Sequence, residues 1–219
     1  METVVQKICQ EMEDLTSHIF RTDFQYSVKS NLEENLPAGH CLVVMDFSEN
    51  ITLQAQDEIE SAHWTQKQVT LHPMFIIRHC PESTRDKPKL LKESLVIISD
   101  CLTHDASAVF VYTEQLMKHL LDNPGPSPIK VIHRFSDNCA SQYKCKDSFE
   151  HLCQVEETYG VTYIYHYTES GHGKGQSDGI GAGIKKRFDN LVLGGKIVNN
   201  AYQVYLTLQQ NKSQKCNHT

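Results

Sequence analysis

The chain has 219 residues, with 27 acidic against 21 basic side chains and a formal net charge of −6. That length suits one domain with extensions, and the acidic balance argues against a strongly basic nucleic-acid-binding module, leaving room only for local basic patches. No apolar run approaches the roughly 20 residues of a membrane span. The start, Met1-Glu2-Thr3, lacks a basic-then-apolar leader, so an intracellular protein with no membrane association is expected. Eight cysteines without a Cys-x-x-Cys pair read as reduced thiols rather than disulfides or a structural zinc site.

In chain order, residues 1–36 form an amphipathic helical extension, with Val4, Val5, Ile8, Met12, Leu15 and Ile19 near a helical period, ending at the break Leu36-Pro37-Ala38-Gly39. Cys41-Leu42-Val43-Val44-Met45-Asp46-Phe47 reads as a strand buried on both faces, with Asp46, its one formal charge, at the far end. Such a carboxylate must be paired, hydrogen-bonded or on a metal. Ser48-Glu49-Asn50 follows as a turn, and a short helix is expected within 54–63. Gln68 to Ile77 is a strand that Pro73 assigns to a sheet edge. The polar stretch Pro81–Lys89 leads to a strand over Ser94–Asp100. A helix capped near Asp105 runs to Leu121, and Asp122-Asn123-Pro124-Gly125-Pro126 breaks it. The strand Ile129–Phe135 closes on Ser136-Asp137-Asn138. A helix over 145–158 stops at Gly160, and Val161–Tyr167 is a strand of alternating aromatics. After the glycine-rich loop Ser170–Ser177, a helix runs from Asp178 to about Asn190. A short helix at 199–209 and a polar tail complete the chain. Three units result: residues 1–40, 41–190 and 191–219.

Three strands, then helix, strand, helix, strand, helix is an order that resembles the RNase H-like fold, an α/β architecture with a five-stranded mixed sheet flanked by helices. The residues around three acids resemble the catalytic domain of eukaryotic DDE/DDD-type DNA transposases and transposon-derived proteins. The segments are Val44-Met45-Asp46-Phe47-Ser48-Glu49-Asn50, Phe135-Ser136-Asp137-Asn138-Cys139-Ala140-Ser141-Gln142, and Ser170-Gly171-His172-Gly173-Lys174-Gly175 through Asp178-Gly179. The resemblance implies that Asp46, Asp137 and Asp178 are catalytic and hold Mg²⁺ or Mn²⁺, and that DNA is the substrate, with RNA or a hybrid not excluded. It also implies a nuclear setting, and a homo-oligomer is left open. Glu169 competes with Asp178 as third acid, and Asp105 is either a fourth acid or an N-cap.

Hard divalent cations prefer oxygen ligands, so a few carboxylates and a substrate phosphate suffice to bind them. Two ions about 4 Å apart activate a nucleophile and stabilise the leaving oxygen in phosphodiester hydrolysis or strand transfer. Without an ion, three convergent carboxylates repel one another and their pKa values rise. His172, in the loop before the last acid, is placed where RNase H enzymes carry a histidine that assists proton transfer. Lys174, Lys185, Lys186 and Arg187 form the basic cluster expected to meet substrate phosphates, and Gln142, Tyr143 and Lys144 are further candidates for the substrate path. The glycine loop fails the phosphate-loop pattern of nucleotide hydrolases: Thr168 stands where the first glycine belongs and Gly175 where Ser or Thr does. A domesticated remnant that binds nucleic acid or protein without catalysis is the alternative reading.

Overall fold

The computed structural model of the protein describes residues 4–53, 67–169, 175–192 and 198–210. The elements in order are α1 (Val4–Glu34), β1 (His40–Met45), β2 (Ser48–Thr52), β3 (Gln68–His79), β4 (Leu90–Ser99), α2 (Ala106–Asp122), β5 (Val131–Ser136), α3 (Lys146–Tyr159), β6 (Thr162–Tyr167), α4 (Gln176–Val192) and α5 (Ala201–Gln210). The short helix expected within 54–63 lies outside the described residues.

The mixed sheet has six strands, where five were expected. β3 is antiparallel to β1, β2 and β4, while β5 runs parallel to both β1 and β6. The added strand continues β1. Met45 lies opposite Met74 and Ser48 opposite Leu71, one unbroken register along β3. The line is interrupted at Asp46-Phe47, and the cause is opposite. Asp46 N–H donates to Pro73 O at 3.4 Å, but proline has no N–H to return the bond. Pro73 therefore sits in an interior strand, correcting the edge placement. The sheet tolerates it because the lost bond falls where the neighbouring strand turns away.

Helices cover both faces. α2 and α3 bury Val109, Tyr112, Leu116, Leu152 and Val155 against Cys41, Val43, Met45, Met74 and Ile132. On the other face α4 and α5 set Phe188, Val204 and Leu208 on Ile51, Val69 and Leu71, and Val28 and Leu32 of α1 pack beside Leu36, Leu42, Val44, Ile77 and Phe135. Each fully buried Leu, Ile or Val contributes about 1.5–3 kcal/mol. Under α3, Arg134 is fully buried, and none of its three guanidinium nitrogens has a hydrogen-bond partner among the described residues. The faces of Tyr143 and Tyr165 lie 5.1 and 6.0 Å from it, a cation–π contact in place of a counter-ion.

Local chemistry fixes the helix ends. Asp105 is the N-cap of α2, its Oδ1 accepting from Ala108 N at 2.9 Å. Asp100 Oδ1 accepts from Ala201 N at 2.8 Å and ties the start of α5 to the end of β4. Gly160, at φ +64°, closes α3 in the left-handed region glycine tolerates. The seven cysteines among the described residues are free thiols, and none of the described helices is long and apolar enough to cross a membrane.

Candidate active site

Parallel strands β1 and β5 end side by side, and an aspartate follows each. The register sets Val44 beside Phe135, and Asp46 and Asp137, each two residues further on, line one cavity with them. Alternation turns both toward the face that Val44 and Phe135 share with α1. Asp178 arrives from the other direction, in the first turn of α4. Next to it, Ser177 donates its Oγ–H to Val44 O at 3.2 Å and pins the helix start to the end of β1. Gly181, one turn on, permits this approach: a Cβ there would collide with Ser48 Oγ and come within 2.8 Å of Ser48 Cβ.

Asp46 feels the charges of the other two acids. Burial first, then the charge of Asp137 and more weakly that of Asp178, raise the Asp46 carboxyl to about 6 against the opposing hydrogen bond from Phe47 N–H. A cation would relieve this repulsion, and the donors are the hard oxygens that Mg²⁺ and Mn²⁺ take. As they stand, the side chains are not gathered around a point. Asp137 Oδ1 accepts from Cys139 N at 3.1 Å and Asp178 Oδ2 from Gly175 N at 3.1 Å. No group of three His, Cys, Asp or Glu among the described residues is close enough to hold a metal ion.

Asp46 and Asp137 open into a cavity of about 580 Å³ whose far wall is α1. Lys29 and Glu33 line that wall, 3.8 Å apart, and Glu33 Oε1 accepts from Gln176 Nε2 at 2.9 Å. Sequence reasoning missed this wall because it weighed only the apolar period of residues 1–36. The polar set Thr22, Gln25, Lys29 and Glu33 recurs at helical spacing and was the available signal.

Other expected residues are placed differently. His172 and Lys174 lie outside the described residues. Lys185 Nζ pairs with Glu49 Oε2 at 2.7 Å, Arg187 donates to Leu208 O at 2.8 Å, and Lys186 is exposed. None of these three lines the cavity. Glu169, the rival third acid, is held by Arg21 at 2.6 Å and His18 at 3.1 Å, and the Arg21 bond pulls its pKa below the usual range. Tyr143 is fully buried rather than lining a path, with its hydroxyl 2.9 Å from His72 Nε2.

The fold and site define a mixed α/β domain with carboxylates where adjacent parallel strands end. The chain belongs to the family described as a domain of unknown function (DUF8701), which matches residues 25–218. No curated protein matches it in sequence. Among solved structures it is similar to the simian T-cell lymphotropic virus intasome in complex with PP2A regulatory subunit B56 gamma, at 11% identity and a TM-score of 0.48, over 80% of this chain and 48% of that one. The chain thus spans about half the length of that neighbour.

Proposed function

We propose that residues 40–190 are an RNase H-like catalytic domain of the DDE/DDD transposase kind, acting on DNA in the nucleus by metal-dependent phosphodiester hydrolysis or strand transfer. The observation that carries this reading is the placement of Asp46 and Asp137 just past the ends of two adjacent parallel strands, with Asp178 in the first turn of the helix that Ser177 ties to the end of β1. The sheet order β4-β3-β1-β5-β6, with β2 continuing β1, supports it. Asp46, Asp137 and Asp178 would hold the divalent ions. Bound there, an ion supplies a polarised nucleophile and neutralises the leaving oxygen. Each of the three aspartates would supply carboxylate oxygens, and Lys29, paired with Glu33, lies on the facing wall of the cavity.

The test is thermal melting with Mn²⁺ or Mg²⁺. Binding to the native state alone raises stability by mass action, about 2.7 kcal/mol at 100-fold excess over the Kd. Asp46→Asn and Asp137→Asn should each abolish the gain while keeping a cooperative melt, and should lose cleavage of labelled DNA. A metal-induced shift unchanged in both variants sinks the proposal. RNA and hybrid substrates in the same gel separate the nuclease classes.

A second reading, a non-catalytic binding protein, is favoured by one observation. α1 exposes Val5, Ile8, Met12, Leu15 and Ile19 to between 50% and 69%, spaced alternately by three and four. That is the seam of a two-helix coil, and we assign it to a second copy of this chain.

A further inference from the structure

A second cavity, of about 400 Å³, lies at the opposite end of the sheet, where β1 begins and β3 ends. His40 there is separated from Asp46 by the full length of β1, roughly 20 Å at 3.3 Å per residue, so the two cavities are distinct. Its size is that of a small-ligand pocket. The lining carries Arg78, Arg85, His40 and His79, and no Asp or Glu.

Arg78 is the decisive residue. It is only 4% exposed, and its Nε is spent on Glu93 Oε1 at 2.6 Å. Its buried NH1 has no partner among the described residues, and a buried guanidinium N–H left unpaired is costly. Glu93 offsets one charge of the group, and His119 shares that carboxylate at 3.5 Å. Arg85 is exposed and makes no ion pair among the described residues, so a net positive charge remains at the mouth. The rest of the lining is braced rather than loose. His79 bonds Ser83 Oγ at 3.0 Å and Leu36 O at 2.9 Å, and Lys89 N donates to Ser83 Oγ at 3.0 Å. Gly125 lets its loop close in: a Cβ there would stand 3.1 Å from His79 O.

We infer that this cavity binds a small oxyanion, a phosphate or carboxylate group, with Arg78 as its buried anchor and Arg85 closing over it. Guanidinium N–H groups suit the planar and tetrahedral oxygens of such groups, and the apolar walls of Leu36 and Ile129 leave space for a small organic body behind the anion. The inference does not depend on the nuclease reading.

Calorimetric titration of the full chain with inorganic phosphate, phenyl phosphate and succinate tests it and separates free phosphate, a phosphate ester and a dicarboxylate. Saturable binding of at least one is expected. Arg85→Glu should weaken it tenfold or more with an unchanged melting temperature in the absence of ligand. Arg78→Lys should weaken it further; if that variant fails to fold, Arg85→Glu alone decides. Lys29→Gln, in the other cavity, should leave the affinity alone. No saturable binding of any probe, or binding equal in wild type and Arg85→Glu, overturns the assignment.

Discussion

His133 sits between two other imidazoles, with His40 Nδ1 at 2.9 Å from its Nε2 and His166 Nε2 at 3.3 Å from its Nδ1. Each of those nitrogen pairs has room for one proton, so the row is satisfied with all three rings neutral and their tautomers aligned. A further proton would set donor against donor. Burial, then His166 and His40, hold His133 down to about 4, against 6.5 for a free imidazole. A depressed base contributes stability that is present above pH 6.5 and lost as pH falls toward 4, because there the unfolded chain binds the proton first. The denaturant midpoint of the wild type should therefore drop between pH 6.5 and 4. His133→Leu should flatten that part of the curve without abolishing it, since the fully buried His72, held down to about 3, titrates in the same sense. Identical pH curves for the two proteins would show that His133 is not the group.

At the scale of the element, α4 is placed by what one residue lacks. Gly181 faces Ser48 so closely that a methyl group must displace the helix from β2, and overpacking of this kind costs about 1–3 kcal/mol. Gly179 and Gly183, on the same helix, would meet nothing within 4 Å, so alanine there gains helix propensity of up to ~1 kcal/mol. Gly181→Ala should thus destabilise and Gly179→Ala and Gly183→Ala stabilise, read as shifts in the urea midpoint, and Ser48→Gly should rescue the first. Equal effects at all three glycines would refute the packing account. That difference was invisible in the sequence, where three glycines at alternate positions look alike. Strand and helix identities were legible because β1, β5 and β6 are apolar or β-branched runs and α2 repeats Val109, Tyr112, Leu116 and Leu120. The break at Asp46 was not, because it depends on Pro73, 27 positions away along the chain, losing its N–H opposite that residue. Position Asp178 could be read from its loop-then-helix context, but its approach to β1 depends on Ser177 and Gly181, whose roles are tertiary.

Seen whole, the molecule is a covered sheet with one helix that reaches past it. From His18 onward α1 is tied down, by His18 and Arg21 to Glu169, by Gln25 Oε1 accepting from Glu169 N at 2.9 Å, and by Val28 and Leu32 in the core. Ahead of that point Lys7 pairs with Glu11 and Gln10 with Asp14 along the helix, and the apolar stripe is exposed. Its five side chains offer on the order of 100 Å² each, so two copies would bury roughly 1,000 Å² of apolar surface, near the lower bound of a specific interface. The alternating positions Val5, Met12 and Ile19 carry β-branched residues twice, with Ile8 and Leu15 between them. The helix is pre-formed by its anchored half, which removes part of the ordering cost that makes short coils marginal. Sedimentation equilibrium should therefore find a monomer–dimer equilibrium with a Kd on the order of 10–100 µM. Ile8→Glu with Leu15→Glu should return a monomer whose melting temperature, measured at low concentration, matches the wild type, because those side chains support nothing in the core. A wild type that stays monomeric at millimolar concentration, or a double variant that still dimerises, would remove the second copy as the occupant of this face.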